Sequence, residues 1–140
     1  MVEHLLSPDV LAKATLRGNE YAWPLAYVEA AIEDGRRRGL AVVGGQAQFR
    51  LPGAGTYEFY WIDVDTSDRQ TDEPWPAYVD RSAAEALEKF RHHMTTVDWA
   101  KLIGEWPGQG RDELLAADAA SHICFVLYFD SDASGVPAAG

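Results

Sequence analysis

Polar and apolar residues alternate one for one along two stretches of the chain, and apolar residues recur every three or four positions along several others. In Gln46-Ala47-Gln48-Phe49-Arg50 the alternation is strict, and residues 56–64 (TYEFYWIDV) are dense in aromatic and β-branched side chains, the pattern of a pleated strand. Leu51-Pro52-Gly53-Ala54-Gly55 lies between them and reads as a turn. An antiparallel hairpin of residues 40–51 with 56–64 follows. Gly44-Gly45 marks a bulge or a close backbone approach within its first arm. A third run, residues 121–130 (SHICFVLYFD), is apolar on both parities and predicts a strand paired on both sides.

The helical period appears elsewhere. Ser7-Pro8-Asp9 supplies an N-cap, a proline at the first position and an acid in the first turn, predicting a short helix that stops at Gly18. Leu25, Val28, Ala31 and Ile32 line one face of a helix predicted from Pro24 to Gly39, with Gly35 inside it costing about 1 kcal/mol relative to alanine. Residues 76–94 place Val79, Ala83, Ala86, Leu87, Phe90 and Met94 on one side, and Ser82 with Glu85 has capping-box spacing. Thr96 is the expected cap of a short segment carrying Trp99, Leu102, Ile103 and Trp106, and residues 111–120 read as a brief helix. The two Trp-Pro pairs, Trp23-Pro24 and Trp75-Pro76, both read as helix openings.

The expected fold is therefore α+β: a single domain over residues 1–130, with an antiparallel or mixed sheet of three to four strands packed against helices, and a flexible tail over 131–140. Phe49, Phe59, Trp61, Leu87 and Phe90 are the expected core. Asp63 shares the parity of Trp61, which suggests that the second arm of the hairpin leaves the sheet there.

Composition narrows the function classes. A chain of 140 residues suits one domain, and its 11% aromatic content is too apolar for a disordered acidic segment. One cysteine, Cys124, excludes an internal disulfide and a thiolate metal cluster, and reads as a core residue. The opening residues lack a signal-peptide pattern and no apolar run is long enough for a membrane helix, so a cytoplasmic protein without membrane contact is expected. The formal net charge is −10, and it is concentrated at −6 over residues 51–100 and −4 over 101–140. Such a surface repels phosphate backbones, which argues against nucleic acid and towards a basic protein partner. The basic run Arg36-Arg37-Arg38 is read as a complement to a helix C-terminus.

Candidate chemistry is sparse. Asp63, Asp65 and Asp68 miss calcium-loop spacing, because Asp68 stands where glycine is needed and Pro74 where a glutamate is needed. His4, His92, His93 and His122 are scattered, so no metal or other cofactor is expected. No nucleophile elbow and no glycine-rich phosphate cradle is present, and enzymatic activity is the less favoured class. The most informative surface is the polar row of the hairpin, where pairing brings Gln46, Gln48 and Arg50 beside Glu58 and Tyr60; these are the candidate ligand-binding residues, and a cross-strand Arg50–Glu58 ion pair is the simplest alternative use of them. For a protein partner, Asp68, Asp72 and Glu73 are the candidate steering acids, with Trp75 or Trp106 as the apolar anchor.

In size and acidity the chain is similar to small bacterial partner proteins such as those that neutralise a toxin. The leading expectation is a non-enzymatic interaction domain that neutralises or regulates a basic partner. A small-ligand domain using the hairpin face is the alternative, an enzyme of unknown class comes third, and homo-oligomerisation is left open.

Overall fold

A computed structural model describes residues 2–50, 56–104 and 122–132. Five strands form one antiparallel sheet: β1 (Thr15–Arg17), β2 (Glu20–Pro24), β3 (Ala41–Arg50), β4 (Thr56–Asp63) and β5 (Ile123–Asp130), in the order β1-β2-β5-β3-β4. The helices are α1 (Pro8–Ala12), α2 (Val28–Arg37), α3 (Trp75–Thr96) and α4 (Trp99–Gly104). The protein is thus a single α+β domain with one more strand than the upper expectation.

β5 is central, as its double-sided hydrophobicity predicts: Phe125 lies opposite Trp23 on one side and Ala47 on the other. The extra strands come from residues 15–24: β1 replaces the expected end of the first helix, and β2 fills the unassigned stretch before the second. Ser7 does cap α1, its hydroxyl accepting from the Val10 amide at 3.3 Å, but that helix ends at Ala12 and the chain turns through Gly18-Asn19 into a β1–β2 hairpin. Gly18 takes a φ of 58°, which favours glycine. Trp23-Pro24 thus ends a strand and also opens the expected helix, because Pro24 caps a 3-10 turn, Leu25–Tyr27, that runs directly into α2, while Trp75-Pro76 opens α3. Trp23 is fully buried and donates its indole N–H to the Val10 carbonyl at 2.9 Å, tying the sheet to α1.

One face of the sheet carries Trp23, Val42, Ala47, Phe49, Phe59, Phe125 and Phe129, and it packs on Val28, Ala31 and Ile32 of α2 and Ala83, Ala86 and Phe90 of α3. Phe90 meets Phe125 edge to face at 5.2 Å. The Ser82–Glu85 pair is no cap. Ser82 is buried in mid-helix, where its hydroxyl accepts from the Val42 amide at 3.0 Å and donates to the Val79 carbonyl at 3.1 Å. Glu85 instead accepts from Ser67 and Arg81. Asp98, rather than Thr96, caps α4 by accepting from the Lys101 amide at 3.0 Å.

Both hairpin glycines are explained by proximity. A Cβ on Gly45 would overlap the Val126 carbonyl oxygen, and one on Gly44 the Asp65 carboxylate. The Gly45 approach seats β3 against β5, and the Gly44 approach lets the chain beyond β4 return to β3: Val64 donates to the Gly45 carbonyl at 3.0 Å, and Asp65 accepts from the Gly45 amide at 3.1 Å. The basic run is occupied locally, with Arg36 on Glu33 and Asp80, and Arg37 and Arg38 on Asp34. The expected turn at 51–55, the helix at 111–120, and Ile103's side chain and Trp106 lie outside the described residues, as does the tail beyond Asp132.

Candidate functional site

The face of the sheet away from the helices is built by the other parity of each strand. Ala22, Cys124 and Val126 are buried there with Tyr128 packed against them. On β3 the same parity supplies Gln46, Gln48 and Arg50, and on β4 it supplies Glu58, so the polar row does assemble. Gln48, with no exposed surface, stands directly opposite Glu58 and donates Nε2 to Oε1 at 2.7 Å; Gln46 donates to the same oxygen at 3.3 Å, and Tyr60 donates its hydroxyl to Glu58 Oε2.

Arg50 does not pair with Glu58. The register puts Gln48 across from that glutamate and turns Arg50 towards β1 and β2. Its Nε donates to Gln48 Oε1 at 3.0 Å, Nη1 to the Thr15 carbonyl at 2.7 Å and hydroxyl at 2.9 Å, and Nη2 to the Glu20 carbonyl at 3.0 Å. The guanidinium is buried among neutral oxygens, and burial holds its pKa below the usual arginine value. Tyr128 of β5 donates to the Glu20 carboxylate; burial first, then that bond, pushes its hydroxyl up to about 12. A connected set of hydrogen bonds therefore touches all five strands, and its donors and acceptors are largely spent on one another.

Beyond this row β4 departs from regular pairing. Ala47 pairs with Phe59 but its neighbour Gln46 pairs with Asp63, so Tyr60, Trp61 and Ile62 form a three-residue bulge. The inward parity switches from Tyr57 and Phe59 to Ile62 and Val64. Tyr60 and Trp61 are left 66% and 64% exposed. Trp61 is thus not part of the core, contrary to the parity-based expectation; its ring meets Phe59 edge to face at 5.5 Å. The shift seen from Asp63 alone is the trace of this bulge in the sequence.

Trp61 forms one wall of a cleft of about 410 Å³, between the bulge and the α3–α4 junction, whose other walls include Ile62, His93, Thr96, Asp98 and Lys101. His93 is fixed by its Nε2, 2.7 Å from the Asp63 carbonyl, and by stacking on Phe125 at 6.4 Å. A carbonyl only accepts, so Nε2 carries the hydrogen.

The acids selected for steering lie on the loop before α3. Asp68 and Asp72 are exposed, whereas Glu73 accepts from both Arg81 Nε at 2.7 Å and Nη2 at 2.8 Å, and this contact holds its carboxyl near a pKa of about 2. Trp75 is half-buried: its indole N–H donates to the Gly39 carbonyl at 2.8 Å, its ring meets Tyr78, and Arg69 lies over it. Trp106 lies outside the described residues. Among the described residues, no group of three or more His, Cys, Asp or Glu side chains is placed to hold a metal ion. Asp63 instead takes Lys89, and Asp65 takes the Gly45 amide. Cys124 is buried, and burial pushes its thiol up to about 11, away from nucleophile character. No described helix is long and apolar enough to cross a membrane.

Thr15, Glu20 and Tyr128 are additions to the polar row: Thr15 falls in the expected first helix, Glu20 in the unassigned stretch after it and Tyr128 in the expected third strand; the Gly18-Asn19 pair, a hairpin-turn dipeptide, is the signal that marks β1 and β2. His93, Thr96, Asp98 and Lys101 carry no local motif, and only the bulge brings them to Trp61. No protein-family model, curated protein or solved structure matches the chain.

Proposed function

We propose that this domain works by binding, and that its contact surface for a basic protein partner is centred on Tyr60 and Trp61. The observation that carries the reading is the bulge itself, which presents two large aromatic rings side by side in the chain, each about two-thirds exposed and more so than any other large hydrophobic side chain among the described residues. Tyrosine and tryptophan supply large contact area at low entropic cost, and they dominate the energetics of protein interfaces. The polar row acts as the frame: Glu58 holds the Tyr60 hydroxyl, and the glutamines and Arg50 hold Glu58.

The net charge of −10 supplies the second half of the reading. Exposed acids such as Asp68 and Asp72 contribute to a field that speeds encounter with a cationic surface, while the aromatic pair slows departure. Neutralisation or regulation of that partner follows by covering its basic surface. The domain needs no reacting group for such a role.

The test is capture of a partner from native lysate at low salt, followed by association and dissociation rates. The on-rate should fall steeply between about 50 and 500 mM salt as the field is screened, and Trp61→Ala should raise the off-rate. An on-rate indifferent to salt, or an off-rate unchanged by Trp61→Ala, would overturn the reading.

A further inference from the structure

We infer that the cleft beside Trp61 receives the side chain of an arginine from the partner; the inference rests on the binding role proposed above and specifies the chemistry of its central contact. An arginine needs an aromatic face for its planar cation and acceptors arranged around the edge of that plane. The cleft offers both. Trp61 contributes an exposed indole, and the half-buried Val97 and Leu102 an apolar surface for the alkyl stem.

Three acceptors line the same space. His93 spends its Nε2 hydrogen on the Asp63 carbonyl, so in the neutral ring Nδ1 carries a lone pair. Thr96 donates its hydroxyl hydrogen to the His92 carbonyl at 2.9 Å and keeps an oxygen able to accept. Asp98 uses one carboxylate oxygen to cap α4 and makes no ion pair among the described residues. An acceptor-rich cleft with a tryptophan wall and a carboxylate that makes no ion pair among the described residues matches a guanidinium better than an anion or an apolar group. A volume of about 410 Å³ also leaves room for the flanking backbone of a peptide.

Lys101 is the counter-argument, and it sharpens the test. Its exposed ammonium stands at the same cleft and repels an incoming cation. An arginine ligand therefore gains affinity when Lys101 loses its charge, whereas an anionic ligand loses it.

The experiment is an NMR titration of the full chain with Nα-acetyl-arginine methylamide, read at the Trp61 indole N–H and the Asp98 and Lys101 amides. The lysine and citrulline analogues serve as controls. Saturable shifts at millimolar arginine are expected, with weaker ones for lysine and weaker still for citrulline, which keeps the shape but lacks the charge. Asp98→Asn retains the capping oxygen and should weaken binding about two- to fivefold, while Lys101→Gln should strengthen it by a comparable factor. Trp61→Ala should abolish the shifts at the two amides. Citrulline binding as tightly as arginine, or Lys101→Gln weakening the arginine complex, would overturn the inference. A salt-sensitive partner whose off-rate rises with Trp61→Ala, in a protein whose cleft ignores the arginine probe, would leave the binding role standing and remove the arginine alone. Arginine bound in the cleft, with a partner on-rate indifferent to salt, would do the reverse.

Discussion

The ring of Phe129 lies against Gly35 so closely that a Cβ on Gly35 would overlap it. Propensity alone makes this glycine a weak point in α2, worth about 1 kcal/mol to an alanine. Packing reverses the sign. Gly35→Ala should destabilise the domain by about 1–2 kcal/mol, because overpacking a filled core costs more than the helix gains. Denaturant unfolding measures it, and pairing the change with Phe129→Leu should recover most of the loss; a stabilised Gly35→Ala protein would refute the close approach.

Phe59 and Trp61 sit two residues apart and would share a face in a regular strand. The bulge separates their fates, leaving Phe59 at 3% exposure and Trp61 at 64%. Phe59→Ala should cost about 3–5 kcal/mol, and Trp61→Ala no more than about 1 kcal/mol, the worth of an edge-to-face contact. Equal losses in urea titrations would mean that β4 is regular and that Trp61 belongs to the core.

That pair also shows where sequence reading stops. Alternation identified β3 and β4, the joint apolar parities of residues 123–130 identified the central strand, and the spacing from Val79 to Phe90 identified α3, because each pattern is local and repeated. A bulge is a single slip whose position depends on what the neighbouring strand offers, here the paired glycines of β3 and the return of Val64 to Gly45. Trp23-Pro24 shows the same limit. Proline fits a strand end as well as a helix start, and here it serves both: the helical turn after Pro24 was legible, but the strand before it depends on the burial of Trp23 against Val10 and Phe125. The polar row was legible as a row, but not its partners: which oxygens Arg50 takes depends on β1, a three-residue strand with no hydrophobic pattern of its own.

Arg50 pins that short strand. Arg50→Met keeps much of the volume but leaves Gln48 Oε1 and the Thr15 and Glu20 carbonyls without their donor, which should cost about 2–4 kcal/mol. Hydrogen exchange provides the specific readout. Amides of β1 and β2 should exchange faster than those of the β3–β5 pairing, and uniform acceleration across the sheet would contradict the pinning role.

Acid should weaken the contacts of Arg81 with its carboxylate partners. Glu73 titrates near a pKa of about 2 in the folded protein against an ordinary value of 4.5, with the Arg81 contact as the main cause. A depressed carboxyl contributes stability that is complete above about pH 4.5 and is lost as pH falls towards about 2. Glu85 shifts in the same direction; burial raises its pKa, but hydrogen bonds from Ser67 and Arg81 outweigh this. Melting temperature should therefore fall through this window, and Glu73→Gln should flatten the fall while lowering stability at neutral pH. An identical acid slope in the variant would show that Arg81 gains nothing from Glu73.

The surface around the bulge is tested most directly by a photoreactive benzoyl-phenylalanine placed at position 61 or, in a separate protein, at position 72, with irradiation in the native cell. If Tyr60 and Trp61 form the contact surface, position 61 should crosslink to a protein of net positive charge, and irradiation of the lysate at about 500 mM salt should weaken that crosslink. Crosslinks from position 72 with none from position 61, or an acidic protein captured at position 61, would contradict the account.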